Sequence, residues 1–447
     1  MSIKERSVVK NSVWLLAESV FVMLISLIIG IISARYLGPS NYGIVNRFLP
    51  YISLANSICT FGMQSIIIRE ISKNESVLNI SEIMGSTIIF RLAISIIAAV
   101  CICSYGFYVS KIENSPDLFI ICVFESIALV FNLNEIIAFY FHAVLKSKYL
   151  ALTSVITSIL IGAWKIFLLS SKADVVWFGL SSSFQAMITL LFLYIFFKND
   201  FKIPLRFSYI KLKSILQRSI HLLITSLGIA IYGQVDKMMI GSMLGNEELG
   251  YYTSAFTLAT IWYFIPQALS NSMRSKIFNE SSNEELYTKD IKILYLITAI
   301  IGAAAGLVYL SIGKYLILLM FGEQYLAATG CLMILGWVGL FANIGTAKSI
   351  WLVGKKLEKY TKYLTLFGAA MNLLLNALLI PAWGCIGAAI ATVISQMSVQ
   401  IVFPLLFKET RPLVFQMFTC YTVFPELRKF SKGILESIKS KMHFVKR

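Results

Sequence analysis

The sequence predicts an all-α polytopic membrane protein with about twelve transmembrane helices, on three observations. First, 57% of the 447 residues are hydrophobic and 14% are charged, with a mean hydropathy of +0.77, values unlike those of soluble proteins. Second, long windows such as 48–68 and 363–407 contain no charged residue, and about 20 apolar residues cross a bilayer as a helix. Third, a short glycine motif occurs twice, each time at the end of an apolar stretch.

The apolar stretches divide into twelve predicted spans. The first follows basic residues as a signal peptide does, but it is about 20 residues long and further spans follow, so we interpret it as a retained helix. The uncharged window 363–407 has room for two helices, which a break at Pro381 to Gly384 separates. The predicted limits are 12–34, 44–68, 85–108, 117–141, 149–171, 175–197, 220–243, 250–273, 292–312, 329–352, 361–381 and 384–407.

The basic residues predict the orientation of these spans. Thirty of the 39 Lys and Arg residues fall at the termini and in or beside the even-numbered loops, whereas four fall in the opposite loops. Because Lys and Arg are retained on the cytoplasmic side, both termini are expected in the cytoplasm. Attraction to anionic membrane lipids explains the net charge of +16, so nucleic acid is not an expected partner.

A repeated motif predicts two similar halves. Leu37-Gly38-x4-Gly43 recurs 207 residues later as Leu244-Gly245-x4-Gly250, after spans one and seven. Such repeats are typical of transporters whose halves rock around a central site. We predict an N-terminal six-helix bundle (1–197), a basic cytoplasmic linker (198–219), a C-terminal six-helix bundle (220–407) and a basic cytoplasmic tail (408–447).

The residues around both motifs resemble a known family. The segments 34–43 (ARYLGPSNYG), 234–237 (QVDK) and 244–252 (LGNEELGYY) resemble Wzx-type oligosaccharide flippases, which handle O-antigen or capsule repeat units within the multidrug, oligosaccharidyl-lipid and polysaccharide (MOP) exporter superfamily. The resemblance covers residues 5–407. It implies two six-helix bundles that face each other as a V, related by a pseudo-twofold axis normal to the membrane.

The same resemblance implies an activity. The protein would move an undecaprenyl-diphosphate-linked oligosaccharide to the outer leaflet of the bacterial plasma (inner) membrane by alternating access, coupled to a proton or sodium gradient. Besides this substrate, H+ or Na+ and membrane lipids, polysaccharide-assembly proteins are the partners to consider. No nucleophile with its base, nucleotide loop or metal constellation is evident in the sequence, so we expect neither an enzyme nor a bound cofactor or metal.

Ionisable residues inside spans are candidates for the transport site, because each is costly in hydrocarbon and normally faces a cavity or a partner. A diphosphate needs cations and sugar hydroxyls need polar groups. Five basic residues lie inside spans, namely Lys348 and the four cations among the residues that follow. The predicted substrate-binding residues are Arg47, Arg91, Lys165, Lys237, Asn372 and Asn376.

Four acids inside spans are the candidates for ion coupling, since a carboxylate in a low-dielectric site can exchange a proton during a transport cycle. They are Glu18, Glu125, Glu135 and Asp236. Helical spacing aligns Glu125, Asn132 and Glu135 along span four. A structural partnership of Glu125 or Glu135 with Lys165 or Arg91 is the competing interpretation.

Other functions fit parts of the sequence. A multidrug or cation antiporter of the same superfamily would favour an acidic cavity, and bases inside spans outnumber acids by only five to four. A lipid II flippase usually has two further C-terminal spans, and the tail of this sequence is too short and too basic to form them. A membrane polysaccharide polymerase or ligase, from a different class, usually carries a large external loop, and no long external loop is predicted.

Overall fold

The computed structural model describes residues 3–73, 76–202, 204–280 and 283–425, with side chains from Glu18 onward except that of Ser275. All regular secondary structure in these ranges is helical. Residues 426–447 of the predicted basic cytoplasmic tail lie outside the described residues.

The N-terminal half of the chain forms nine helices. Some predicted spans are divided between two helices, as 44–68 is between α2 and α3 and 117–141 is between α5 and α6. The bounds of the helices are α1 (Ile3–Asn46), α2 (Leu49–Thr60), α3 (Gln64–Lys73), α4 (Val77–Ile112), α5 (Pro116–Phe131), α6 (Asn134–Ala143), α7 (Ser147–Ser170), α8 (Val175–Asp200) and α9 (Tyr209–Leu244).

The rest of the described chain forms eight more helices and several short turns. Three 3-10 turns (Ile261–Tyr263, Glu323–Tyr325 and Cys420–Val423) and one π-helical turn (Ser398–Val402) interrupt them. The helices are α10 (Asn246–Thr260), α11 (Phe264–Asn279), α12 (Glu284–Met320), α13 (Ala328–Leu335), α14 (Val338–Gly354), α15 (Lys359–Met397), α16 (Phe403–Leu405) and α17 (Arg411–Phe418).

These helices account for the predicted spans. Nine helical stretches in the described residues are long and apolar enough to cross a membrane. Two of them, Glu18–Lys73 and Lys359–Leu405, contain 56 and 47 residues, enough for two crossings of about 20 residues each. Predicted span 250–273, which is not among the nine, is covered by α10 and α11. Seven of the stretches therefore cross once and two cross twice, and α10 with α11 supplies the twelfth crossing. The predicted all-α membrane fold is confirmed.

Glycines with a positive φ break the longest helices between spans. Gly38 has φ +72° and ψ 170° inside α1, and Gly245, its counterpart in the repeat, has φ +91° and ψ −169° after α9. Side chains other than hydrogen are strained in this region. Gly384 interrupts α15 with φ +60°, which confirms the predicted break after Pro381.

The two copies of the glycine motif contact each other in a reciprocal way. A Cβ atom on Gly43 would overlap the carbonyl oxygen of Asn246, and a Cβ atom on Gly250 would overlap that of Pro39. Asn246 follows Gly245 as Pro39 follows Gly38, so the same contact is made twice in opposite directions. Both contacts depend on the missing side chain, because the backbones could not otherwise approach so closely.

The chain divides into two compact units, Met1–Thr257 with Lys314–Cys331 and Asn372–Ala388, and Leu258–Gly313 with Leu332–Met371 and Ala389–Arg447. The first unit has separate apolar clusters, around Met84 and Phe141 and around Phe48. The second unit packs around Tyr295 and Trp351. The predicted division into bundles at 197 and 220 stays a prediction. The polar site described next belongs to the first unit alone.

Candidate functional site

A polar cavity lies among α2, α3, α6 and α9 in the first unit. It has a volume of about 530 Å³. Besides a few apolar groups such as Phe139 and Ile229, its walls present amides, hydroxyls and one carboxylate. These polar side chains are Asn56, Ser57, Thr60, Gln64, Ser65, Glu135, Thr225 and Ser226.

Two helix breaks shape this cavity. Phe61 and Gly62, both with positive φ, separate α2 from α3, and a Cβ atom on Gly62 would lie 2.7 Å from the backbone of Leu222. This close approach allows α9 to form one wall. A second break, at Asn132 between α5 and α6, places Glu135 in the first turn of α6, where the helix dipole favours a negative charge.

A buried arginine lies behind this wall. The guanidinium of Arg91, on α4, is fully buried and pairs with Glu135 (Nη2 to Oε2, 3.2 Å). It also donates to Asn56 Oδ1 (2.6 Å), to the Thr60 hydroxyl and, at 3.5 Å, to the backbone carbonyl of Asn132 that the helix break exposes. Asn56 Nδ2 in turn donates to Glu135 Oε1 at 2.8 Å.

The Arg91–Glu135 network is buried at Arg91 and exposed to the cavity at Glu135. Arg91 has no solvent exposure, whereas 32% of the Glu135 side chain is exposed and faces the cavity. A desolvated guanidinium needs its charge matched, and Glu135 and its neighbours match the two Nη atoms of Arg91, whereas Nε has no partner among the described residues. Glu135 therefore balances the charge of Arg91 while remaining within reach of anything that enters the cavity.

A second acid and base, Glu125 on α5 and Lys165 on α7, are electrostatic neighbours without a salt bridge among the described residues. Glu125 is 1% exposed, and its Oε2 atom has no hydrogen-bond partner among the described residues. The half-buried Lys165 is its electrostatic partner. The predicted stripe on span four is therefore divided, since Glu125 lies near Lys165 whereas Asn132 and Glu135 lie near Arg91.

Arg47 takes part in a third pair, beside the glycine motifs. Its Nη2 atom lies 2.8 Å from Glu113 Oε1, and only 3% of the residue is exposed. Asn246 Nδ2 donates to the other oxygen of Glu113 at 3.3 Å. Gly241 allows Arg47 to lie against α9, because a Cβ atom there would overlap the guanidinium.

Asp236 and Lys237 point to different neighbours although they are adjacent. Asp236, 3% exposed, accepts hydrogen bonds from the Tyr252 hydroxyl and from the Lys237 amide (2.8 Å). The Lys237 ammonium lies 4.3 Å from the ring centroid of Phe256, a cation–π contact. Both side chains thus have partners on α10.

Replacing Tyr252 with phenylalanine is expected to destabilise the protein, because the buried Asp236 carboxylate loses a donor. We expect a decrease of about 1–3 kcal/mol in the free energy of unfolding, measured by detergent denaturation. Tyr251 is the matched control, since its hydroxyl donates to Glu247 on the exposed surface, and Tyr251→Phe should change the value by less than about 0.5 kcal/mol. Equal losses of unfolding free energy in the two variants would contradict a stabilising hydrogen bond from Tyr252 to Asp236.

The remaining predicted residues lie apart from the polar cavity. Asn372 and Asn376 are buried on α15 and bond to each other at 3.1 Å, which leaves Asn372 Nδ2 and Asn376 Oδ1 without partners among the described residues. Lys348 donates to the carbonyl of Val399 at 3.1 Å. Glu18 is half-buried and accepts from Ser19 at 3.3 Å. The described residues contain no group of three or more His, Cys, Asp or Glu side chains arranged for a metal.

Sequence reasoning missed the polar residues of span two. Asn56 and Thr60 both contact Arg91, yet this window stands out in the sequence only for its lack of charge. Their spacing of four residues, one helical turn, was the available signal.

Solved transporter structures share this fold. The lipid II flippase MurJ in an inward closed conformation aligns with a TM-score of 0.70 over 94% of this chain and 93% of its own, at 17% identity. An inward-facing multidrug resistance MATE family transporter of the MOP superfamily aligns with a TM-score of 0.65 over 91% and 96%, also at 17% identity. The chain is thus a multi-pass membrane protein with the fold of these two structures.

Sequence comparison gives the family. Residues 8–274 match the family described as polysaccharide biosynthesis protein, and the chain belongs to this family. An uncharacterised membrane protein of Methanocaldococcus jannaschii is 24% identical over 418 residues, which are 88% of this chain and 96% of that protein. The probable low-salt glycan biosynthesis flippase of Haloferax volcanii is 24% identical over 197 residues, 42% of this chain and 40% of that protein. The predicted resemblance is confirmed.

Proposed function

We propose that this protein moves an undecaprenyl-diphosphate-linked oligosaccharide repeat unit from the cytoplasmic to the outer leaflet of the bacterial plasma membrane by alternating access. The observation that supports this most directly is the polar cavity beside the Arg91–Glu135 pair, in a chain of a polysaccharide biosynthesis family. Amides and hydroxyls suit sugar hydroxyls, and a guanidinium suits a diphosphate. The distribution of basic residues supports cytoplasmic termini.

Within this proposal, Arg91 binds the headgroup and Glu135 exchanges the coupling ion. In the structure Glu135 neutralises the guanidinium. Arg91 has no exposure in this conformation, so a diphosphate reaches it by displacing the Glu135 carboxylate, and uptake of a proton or Na+ by Glu135 relieves the repulsion between the two anions. The side chains of Asn56 and Thr60 hold both groups in position.

Glu135→Gln tests this coupling. In liposomes that contain the purified protein and a fluorescent lipid-linked oligosaccharide, we expect wild-type translocation to slow when a protonophore is added or sodium is removed. The variant should translocate at a rate that neither treatment changes, because a neutral amide exchanges no ion. Glu113→Gln, which alters the pair with Arg47, is the control and should keep the gradient response. A Glu135→Gln protein with an unchanged gradient response would contradict the role.

A cation antiporter is the second candidate function. Among the described residues that line the cavity, the ionisable one is an acid, Glu135, and a carboxylate attracts a cationic drug. One cell assay distinguishes the flippase from the antiporter. We expect expression of the chain to restore surface polysaccharide in a flippase-deficient strain without increasing ethidium efflux, whereas efflux without restoration would favour the antiporter.

A further inference from the structure

A second groove, unrelated to the proposed transport site, lies on the other side of the break in span four. Its volume is about 410 Å³, and its lining is entirely apolar. Residues on both sides of the break supply part of the lining, and α4, α8 and the segment that follows α8 supply the rest. The main lining residues are Ile88, Phe131, Leu133, Met187, Leu190 and Leu191.

One end of the groove continues into a cavity with basic residues. This cavity, of about 430 Å³, shares Tyr194, Phe197 and Leu205 with the groove and adds Lys198 and Lys202. Both lysines are exposed. The part of the chain that the structure describes gives neither of them an ion pair.

The nearest acid in sequence does not neutralise these lysines. Asp200 lies between them, but its carboxylate accepts from the Lys146 ammonium and, at 2.8 Å, from the Tyr140 hydroxyl. The open end of the groove therefore carries two unmatched positive charges.

The groove also lies where an acyl chain of the cytoplasmic leaflet is expected. Most of its lining is in the halves of spans four and six that lead into basic loops, and Lys198 and Lys202 begin the linker where headgroups are expected. Leu191 and Tyr194 are 56% and 51% exposed, so the groove opens sideways toward the hydrocarbon.

We propose that this groove is a binding site for an anionic phospholipid of the phosphatidylglycerol class. One acyl chain lies along the apolar lining, and the headgroup phosphate pairs with Lys198 and Lys202. A zwitterionic lipid could fill the groove but would bring an ammonium group to the same lysines, which makes the pairing weaker.

Native mass spectrometry of the full-length protein in detergent tests the headgroup contact. At equal concentration, phosphatidylglycerol should bind roughly ten- to thirtyfold better than phosphatidylcholine with the same chains, since each interfacial lysine attracts an anionic lipid. Lys198→Ala/Lys202→Ala should abolish this preference. Lys211→Ala/Lys213→Ala removes the same charge from the same linker, away from both cavities, and should keep it. Equal binding of the two lipids, or equal loss in both variants, would overturn the proposal.

Filling the groove tests the chain contact. Leu191→Trp should lower the occupancy of both phospholipids, because the indole takes the space of the acyl chain. Ile195→Trp, at an exposed position of the same helix outside the groove, should leave occupancy unchanged. Both positions are exposed, so both variants should fold, which a thermal-shift measurement checks. Unchanged occupancy in a folded Leu191→Trp protein would rule out the groove as the site.

Discussion

Replacing Arg91 with alanine is expected to abolish transport and to lower the free energy of unfolding by about 3–5 kcal/mol. The substitution removes a fully buried guanidinium that holds Asn56, Thr60 and Glu135 together. It also leaves the carboxylate of Glu135 without its counter-charge. Because Glu135 is partly exposed to the cavity, water relieves some of this cost, and we expect the lower end of the range.

A double-mutant cycle separates structure from transport. Adding Glu135→Gln to Arg91→Ala should recover part of the lost stability, because no unpaired charge remains, but should not recover transport. Arg218→Ala is the control, since it breaks an exposed pair with Glu70 and should cost no more than about 1 kcal/mol. The proposed role of Arg91 in binding the headgroup would be wrong if the double variant transported lipid-linked oligosaccharide at the wild-type rate.

Replacing Gly43 or Gly250 with alanine is the second large effect that we expect. Each added methyl group would overlap a backbone carbonyl of the other motif copy, and backbone cannot yield as a flexible side chain can. We expect a loss of at least about 1–3 kcal/mol in the free energy of unfolding, as for overpacked cores, and a strong decrease in translocation. Detergent denaturation and the liposome assay measure the two effects.

Two other glycines are matched controls, one in α1 with Gly43 and one in α9, the helix that precedes Gly250. At Gly30 in α1 and Gly233 in α9, a Cβ atom would have no other atom within 4 Å. Alanine at either position should be neutral or stabilising by up to about 1 kcal/mol, because glycine is the weaker helix former. If alanine at 30 and 233 destabilised the protein as much as at 43 and 250, the loss would not be specific to the reciprocal contact, and this explanation would be wrong.

The sequence was informative wherever a property lies within one helix. Apolar length predicted the spans, and the duplicated motif marked Gly38 and Gly245, which share an unusual backbone conformation. Arg91 and Glu135 were selected because charges inside spans are rare. Their pairing was one of two open interpretations, since spacing along one helix does not say which helix lies opposite.

Helix breaks were the main obstacle to predicting the site. Phe61, a non-glycine residue with positive φ, gives no local signal that span two is interrupted. The interruption at Asn132 has a similar effect, because it rotates Glu135 away from the face that it would share with Glu125 in a continuous helix. Both interruptions contact other helices, Gly62 at Leu222 and Asn132 at Arg91, and the pattern of a single helix does not contain such contacts.

The reciprocal contact of Gly43 and Gly250 has a consequence for the origin of the chain. Two identical surfaces that each insert into the other are the hallmark of an isologous dimer. A gene encoding one copy of the motif would therefore produce both contacts by self-association, and duplication with fusion would join them in one chain. Separate change of the two copies would then account for Pro39 on one side where Asn246 stands on the other.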